Sequence, residues 1–397
     1  MTPEEKIAML ERLGADFNRV KDLDILMERI LRGARIYSSA DAGSIYLLED
    51  ELLHFSYTQN ATLEKKLPPG GKLIYSSFTL PVDKKSIAGY SACTRATLNI
   101  ADAYAISPDA PYQFKPGFDA SSGYRTRSIL TLPLLATEKQ VLGVLQVINA
   151  LDEDGHVVPF TPEAQRQMEM FAGMAAAALE RAVMTRSIIL RMVKMSELRD
   201  PRETGAHVNR VAAYAVELYE RWAKNHNIPE DRIEEEKDVL RIAAMLHDVG
   251  KVAVSDLILK KPGKLTAEEY EVMKTHAEQG ADLFIGHMTA YDRAAQEVAI
   301  NHHQKWDGTG YPAVPVEGTG ESRPRRGEEI PLFGRIVALA DVYDALVSRR
   351  VYKDAWSDEE ATKIIREESG KHFDSELVEI FLSIRDIFLG IQKRYPE

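Results

Sequence analysis

The amino-acid sequence predicts an α+β domain followed by an all-α helical bundle, with one long helix joining the two. Strand-type and helix-type apolar periodicities both occur before residue 180, whereas the pattern after residue 200 is almost wholly helical. No proline interrupts the chain between Pro162 and Pro201. A length of 397 residues suits two or three domains. We therefore expect one domain over 1–180, a linker helix over 181–200 that continues from about 162, and a second domain over 201–397.

The first domain is predicted to combine helices with two β-hairpins. Apolar residues first recur at helical spacing and then switch to strand patterns, with a turn at Asp50-Glu51 and another at 137–140. The expected elements are helices over 4–38 and 86–95, and strands over 44–48, 52–57, 128–135 and 141–149.

The joining helix has a defined start and end. Thr161 suits the N-cap and Pro162 the first helical position, while the Asp200-Pro201 step disfavours further helix. Its apolar residues follow a repeat close to 3.5, which is typical either of a helix packed within its own chain or of a parallel dimer seam. We favour a homodimer. The repeat comprises Met168, Phe171, Ala175, Ala178, Ala182, Val183, Ile189, Met192 and Met195.

The second domain is predicted to be a helical bundle. Apolar residues recur at helical spacing throughout, apart from a loop over 313–330 that is rich in proline, glycine and glutamate. The expected helices cover 204–225, 232–248, 266–285, 289–303, 331–348, 358–369 and 374–393.

Composition excludes several classes of protein. A net charge of −11 argues against binding of nucleic acid polymers, although bound metal ions can still attract an anionic substrate. The chain has neither an apolar run of about 18 residues nor a signal-peptide pattern, so we expect no membrane span. The single cysteine fits a reducing cytoplasm, and Cys93 is expected to be a buried small hydrophobe.

Histidines and carboxylates cluster in the second domain. His247-Asp248 follows the apolar run 242–246, where an acid is costly unless it is paired or coordinates a metal. Alone, Glu203-x-x-x-His207 could be a surface ion pair, His276 an ordinary helix histidine and Lys251 a solvated lysine. Together with His302, His303 and Asp341, which interrupts another apolar run, they predict a site that holds several divalent metals.

This series of motifs resembles the HD-GYP family, a subgroup of the HD phosphohydrolase superfamily. The resemblance covers about residues 190–395 and implies hydrolysis of cyclic di-GMP at a two- or three-metal site in a helical bundle, often with iron or manganese. The matching motifs are Arg199-Asp200-Pro201, Glu203-Thr204-Gly205-x-His207, His247-Asp248-x-Gly250-Lys251, His276, His302-His303, Asp307-Gly308-x-Gly310-Tyr311-Pro312 and Asp341-x-Tyr343-Asp344.

The resemblance also implies roles for individual residues. The implied catalytic residues are Asp248, which would bridge two metals, and Lys251, which would contact a phosphate oxygen or lie behind the site. Glu203 matches the extra carboxylate of trinuclear members. We therefore favour three metals, iron first and manganese second. The implied metal ligands are Glu203, His207, His247, Asp248, His276, His302, His303 and Asp341, and the implied substrate-binding residues are Arg350, Lys353, Gly310, Tyr311 and Pro312.

Two features depart from that family. Many relatives have His-His-Glu-Arg where this chain has His302-His303-Gln304-Lys305, and the loop over 313–328 is longer than usual. The substitution of an amide for a carboxylate removes no implied ligand, but it changes a residue beside two of them.

The first domain resembles a GAF domain, a sensor of small molecules or a dimerisation module. The strand over 143–149 leads into Phe160-Thr161-Pro162-Glu163 and the long helix, in the GAF order. Cyclic-nucleotide-binding GAF domains carry a Lys where this chain has Ala150, and Asp-Glu where it has Ala164-Gln165. The ligand is therefore unknown, and a structural role is an equal alternative.

The expected function is that of a cytoplasmic phosphodiesterase that cleaves cyclic di-GMP to pGpG, GMP or both, under control of the GAF-like domain. Signals would act by changing helix packing near Glu203 and His207. Two alternatives remain at this stage: an HD phosphohydrolase that acts on another nucleotide or on hybrid cyclic GMP-AMP, and a metal-binding bundle without enzymatic activity.

Overall fold

The computed structural model describes residues 3–67, 79–137, 140–197, 205–286, 289–316, 322–348 and 356–396. The chain divides into two compact units, Met1–Thr185 and Arg186–Glu397.

The first unit is built on an antiparallel sheet. Its strands are β1 (Ala40–Glu49), β2 (Leu52–Asn60), β3 (Thr79–Pro81), β4 (Leu98–Ile100), β5 (Ile129–Leu135), β6 (Val141–Leu151) and β7 (Val157–Val158). They lie in the order β3-β2-β1-β6-β5-β4, with β7 paired to β6. Both predicted hairpins are present, and β1 meets β2 with Ala42 opposite Asn60.

Helices cover both faces of this sheet. They are α1 (Pro3–Arg19), α2 (Leu23–Tyr37), α3 (Ala61–Glu64), α4 (Ile87–Thr94), α5 (Gly117–Ser122) and the first part of α6 (Pro162–Glu197). On one face, α2 packs so closely that a Cβ at Gly43 would lie 2.9 Å from Leu31. On the other face, Tyr46 packs against Ala88 and Ala92 of α4.

The N-terminal periodicity corresponds to two helices rather than one. Asp22 separates α1 from α2 because its carboxylate accepts hydrogen bonds from the backbone N–H groups of Asp24 and Ile25 and so caps the second helix. Cys93 is exposed, so its expected burial is wrong.

The long helix α6 begins as predicted, since the Thr161 hydroxyl accepts a hydrogen bond from the Ala164 N–H at 3.1 Å. The first half of its apolar repeat packs within the chain. Phe171 is fully buried and its ring lies 5.6 Å from that of Phe17, and Ala175 and Ala182 are buried as well. These residues form part of the first unit's core.

The second unit is a helical bundle. Its elements are the end of α6, α7 (Gly205–Asn225), α8 (Glu230–Met245), α9 (Asp256–Leu259), α10 (Ala267–Lys274), α11 (His276–Asp282), α12 (Ala290–Asn301), β8 (Val314–Pro315), β9 (Ser322–Arg323), α13 (Leu332–Val347), α14 (Asp358–Glu367), α15 (Ser375–Ser383) and α16 (Arg385–Arg394). One core joins α7, α8, α12, α13, α15 and α16, and within it the rings of Tyr214, Tyr343 and Phe388 pack against one another.

Two predicted helices, over 266–285 and 374–393, are each divided in two. At the first break, the Thr275 hydroxyl donates to the Val272 carbonyl, and Nδ1 of His276 donates to the Met273 carbonyl. These side chains compete with backbone N–H groups for the same acceptors, which interrupts the helical ladder. The second break falls at Ile384, whose backbone leaves the helical region.

Within the described ranges, no helix combines the length and the apolar character that crossing a bilayer requires.

Gly250 fixes how closely two segments of the second unit approach each other. A Cβ there would lie 2.0 Å from the His276 carbonyl oxygen and 2.4 Å from the Gly280 nitrogen. We therefore expect Gly250→Ala to lower the free energy of unfolding by about 1–3 kcal/mol or more, measured by urea denaturation. Gly173→Ala, at an exposed position of α6, is the control, because its Cβ meets nothing within 4 Å, and it should stabilise the protein by about 0.5–1 kcal/mol. Equal effects of the two substitutions would contradict this account.

Candidate metal centre

Three histidines lie one or two residues past the ends of three helices and share one hydrogen-bond arrangement. His247 follows α8, His276 follows α10 and His302 follows α12. In each, ring Nδ1 lies within hydrogen-bond distance of the backbone carbonyl three residues earlier. A carbonyl only accepts, so Nδ1 carries a proton, and in the neutral form of each ring Nε2 is then the atom that can bind a metal. The three carbonyl oxygens are those of Ala244 (2.8 Å), Met273 (2.7 Å) and Ala299 (2.9 Å).

His207, in the first turn of α7, is oriented by a carboxylate instead. Its Nδ1 lies 2.8 Å from Oδ2 of Asp344, which is fully buried on α13. Arg210 donates to both oxygens of the same carboxylate, from Nε at 2.7 Å and from Nη2 at 2.8 Å. Burial alone would raise the pKa of Asp344, but His207 and Arg210 hold that pKa below its usual value. Asp344 therefore stays ionised and directs His207 Nε2 away from itself.

The first group of donors comprises Asp248, His276, His302 and His303, whose ligand atoms lie within 4.8 Å of one another. Oδ1 of Asp248 is 3.2 Å from Nε2 of His276 and 3.6 Å from Nε2 of His302, and those two nitrogens are 3.4 Å apart. Buried Oδ1 of Asp248 forms a hydrogen bond with none of the described residues.

The second group comprises His207, His247 and Asp341, also within 4.8 Å of one another. Oδ1 of Asp341 is 3.6 Å from Nε2 of His207 and 4.0 Å from Nε2 of His247. Asp248 lies between the groups, because its Oδ2 is 3.2 Å from His247 Nε2 while its Oδ1 faces the first group.

Charge at the centre is set by burial and by one lysine. Nζ of Lys251 lies 2.8 Å from Oδ2 of Asp248. Burial would raise the pKa of Asp248, but Lys251 and His247 hold it well below its usual value. Burial lowers the pKa of His302 and, together with the neighbouring imidazoles, lowers that of His303 strongly. The carboxylate is therefore charged and these imidazoles are neutral.

This arrangement fits divalent metal ions. The Nε2 atoms of His276 and His302 face Oδ1 of Asp248 at 3.2 and 3.6 Å, and Nδ1 of each ring is already committed to a backbone carbonyl. Bringing such electron-rich atoms together in a buried site costs free energy unless a cation lies among them. Neutral imidazole and carboxylate are the donors that zinc, iron and manganese accept, so the residues present suit a metal centre.

The Gly310-Tyr311-Pro312 loop packs over the first group. The Tyr311 N–H donates to the His303 carbonyl at 3.1 Å, and the two rings lie 4.7 Å apart. A Cβ at Gly310 would lie 2.6 Å from the Cα of Gln304, so glycine allows the loop to lie this close. Burial raises the pKa of the Tyr311 phenol, which is therefore neutral.

The structure brings together every implied ligand that it describes. Glu203, Arg350 and Lys353 lie outside the described residues, so their predicted roles stay predictions. Sequence reasoning gave no role to Asp344 or Arg210. One signal was present for Asp344, because it is a second acid one helical turn after Asp341 in an apolar run.

Comparison with known families agrees with this architecture. Residues 22–179 match the family model of the GAF domain, and residues 192–377 match that of the HD domain, which contains all the ligands named above. The chain therefore combines a region that matches the GAF domain with a region that matches the HD domain. This confirms the predicted fold class and the recognition of both domains.

Similar proteins share part of this chain. A 3'3'-cGAMP-specific phosphodiesterase of Vibrio cholerae is 40% identical over 54% of this chain and 37% of its own length. A cyclic di-GMP phosphodiesterase of the same organism is 40% identical over 64% of this chain and 50% of its own length. A cyclic di-GMP phosphodiesterase of Thermotoga maritima is 38% identical over 52% of this chain and 51% of its own length. The chain thus spans about half or less of the length of these relatives.

Asp344 should control metal affinity through His207. Asp344→Asn removes the charge that orients the ring and neutralises one side of the Arg210 pair, so we expect metal affinity to fall about 10–100-fold. Isothermal titration with Mn²⁺ under anaerobic conditions measures this. Asp282→Asn, at an exposed position of the same unit, should leave the affinity unchanged. An unaltered affinity in folded Asp344→Asn protein would show that Asp344 does not act on the centre.

Proposed function

We propose that this protein is a metal-dependent phosphodiesterase that hydrolyses cyclic di-GMP to pGpG, GMP or both. The observation that carries the proposal is the convergence of seven imidazole and carboxylate donors in two groups that meet at Asp248. Two adjacent metal positions of this kind suit phosphodiester hydrolysis, because they can bind the attacking and leaving oxygens on either side of one phosphorus.

Two or three metal ions are proposed. Each group of donors would hold one, with Asp248 shared between them. Glu203 precedes His207 by four residues and would add a carboxylate for a third ion, which we favour. Iron is the first candidate and manganese the second, because both accept mixed imidazole and carboxylate ligands.

The chemistry that such ions supply is polarisation of a phosphoryl oxygen and a lowered pKa of water. Several residues of the chain would support this chemistry. Lys251, whose Nζ lies 2.8 Å from Oδ2 of Asp248, keeps that carboxylate ionised. Its ammonium group would also bind a phosphate of the substrate. Tyr311 covers one face of His303 and excludes water there. Arg350 and Lys353 are proposed to bind the substrate's phosphates.

The substrate can be tested directly. We expect protein loaded with Mn²⁺ or Fe²⁺ to open cyclic di-GMP, with pGpG as first product, resolved by liquid chromatography. Hybrid cyclic GMP-AMP is the competing substrate, since one relative carries that specificity in its name. A nucleoside monophosphate tests for a nucleotidase. Cleavage of the monophosphate alone would overturn the proposal, and cleavage of none of the three would favour a bundle without this activity.

Asp248 is the residue on which the two donor groups depend. Asp248→Asn should lower the turnover number at least about 100-fold, because the amide removes a charge that both groups use. Bound metal, measured by plasma mass spectrometry on the same sample, should fall as well. Asp386→Asn, at an exposed site on α16, is the matched control and should retain full activity. Retained turnover in Asp248→Asn would contradict the assignment.

We also propose that the protein is a homodimer regulated through α6. This helix runs without a break from the first unit into the second. It exposes an apolar stripe whose positions fall within about 80° on a helix of 3.6 residues per turn, and exposed apolar stripes of this spacing suit a parallel partner helix. The GAF ligand is unidentified. The stripe comprises Met170, Met184, Ile188, Met192 and Met195, which are 39–65% exposed.

The exposed stripe predicts which substitutions on α6 should disrupt the dimer. Ile188→Glu with Met195→Glu should place charge in the seam and convert a dimer into a monomer of 44.5 kDa, measured by sedimentation velocity. Lys194→Glu, on a neighbouring face of the same helix, should leave the dimer intact. Lysine at Ala175 or Ala182 would instead disrupt the core of the first unit, where both are buried. A wild-type protein that sediments as a monomer would rule out the proposed dimer.

A further inference from the structure

Two buried amide side chains flank the adjacent ligands His302 and His303. Asn301 is 1% exposed and Gln304 is 2% exposed. Both accept hydrogen bonds from the same residue, Arg325: its Nη1 donates to Oδ1 of Asn301 at 2.5 Å, and its backbone N–H donates to Oε1 of Gln304 at 2.9 Å. Arg325 belongs to the long loop after the Gly310-Tyr311-Pro312 segment, so this loop is tied to both sides of the histidine pair.

Gln304 also holds the Tyr311 loop. Its Nε2 donates to the Pro312 carbonyl at 2.6 Å, while Oε1 accepts from Arg325. One side chain thus donates to one loop and accepts from another, which an amide can do and an ionised carboxylate cannot. This is the position at which many members of the HD-GYP family have glutamate.

The backbone of Asn301 is fixed from the opposite side. A Cβ at Gly334 on α13 would lie 2.6 Å from the Cβ of Asn301, so the end of α12 packs directly on α13. Nδ2 of Asn301 donates to the Glu297 carbonyl at 2.7 Å, within its own helix. On the other side of His302 and His303, Gln304 and Arg325 hold the loops that follow α12.

We propose that Gln304 and Arg325 form a clamp, a pair of positioning residues that sets the orientation of His303 and of the Tyr311 ring packed on it. Neither residue is required to touch substrate or metal. The inference rests on the proposed function only in that His303 is taken to be a metal ligand. It predicts that the amide nitrogen of Gln304, rather than its size or its burial, determines how well the first donor group binds metal.

Gln304→Glu tests that prediction with almost no change in shape. An acceptor oxygen replaces Nε2 and faces the Pro312 carbonyl oxygen, so two buried acceptors repel each other and the loop that carries Tyr311 must move. We expect a 10–100-fold loss of Mn²⁺ affinity in the first donor group and a loss of turnover number, with the Michaelis constant changed less than about threefold. Gln296→Glu, which adds the same charge on α12, is the matched control.

Three measurements decide the outcome. Anaerobic Mn²⁺ titration gives the affinity, cyclic dinucleotide turnover separates turnover number from Michaelis constant, and thermal melting shows whether the variant is folded. A folded Gln304→Glu protein with wild-type Mn²⁺ affinity and turnover would overturn the clamp.

A second variant covers the case in which Gln304→Glu fails to fold. Arg325→Met removes the contact to Asn301 and should lower Mn²⁺ affinity in a folded protein, and unchanged affinity there overturns the clamp as well. If the wild-type protein cleaves no cyclic dinucleotide, the proposed function fails, while the difference in Mn²⁺ affinity between the wild type and these variants still tests the clamp.

Discussion

The centre depends on one repeated interaction, the hydrogen bond between a histidine Nδ1 and the backbone carbonyl three residues earlier. Helix ends leave carbonyls without intrahelical partners, and His247, His276 and His302 use three of them. The same bond ends or interrupts the helix, fixes the tautomer and directs Nε2 inward. Local secondary structure and ligand geometry are therefore produced by the same contact.

Where no helix-end carbonyl is available, a buried carboxylate orients the imidazole ring instead. His207 lies at the beginning of its helix, so Asp344 on α13 orients it, and Arg210 keeps that carboxylate ionised. Removing either partner would leave a buried charge unpaired. The resulting loss of free energy of unfolding is larger than the net stabilisation that the pair provides. The bundle thus contributes rigidity to the centre by burying ion pairs beside its ligands.

Different segments of the bundle supply different donors to the centre. Helix ends supply imidazoles, the turn after α8 supplies Asp248 and Lys251, and α13 supplies Asp341. Asn301 and Gln304 hold the loops after α12 through amide groups, so the pair His302-His303 is held without a further carboxylate near the donors. This limits the negative charge that the ligands must share.

The sequence by itself determined the class of each domain and the long helix, because helical periodicity and the proline positions are local properties, and the resemblance of its motifs to a known family predicted the metal ligands. The tertiary structure alone decided the division of the candidate ligands into two groups, the position of Asp248 between them and the contacts of Asp344, Arg210 and Gln304. It also showed that Phe171 and Ala175 pack within their own chain, which a 3.5-residue repeat could not distinguish from a dimer seam. These features depend on contacts between residues up to 154 positions apart, as between Phe17 and Phe171, and no local pattern specifies which distant side chain will fill a given site.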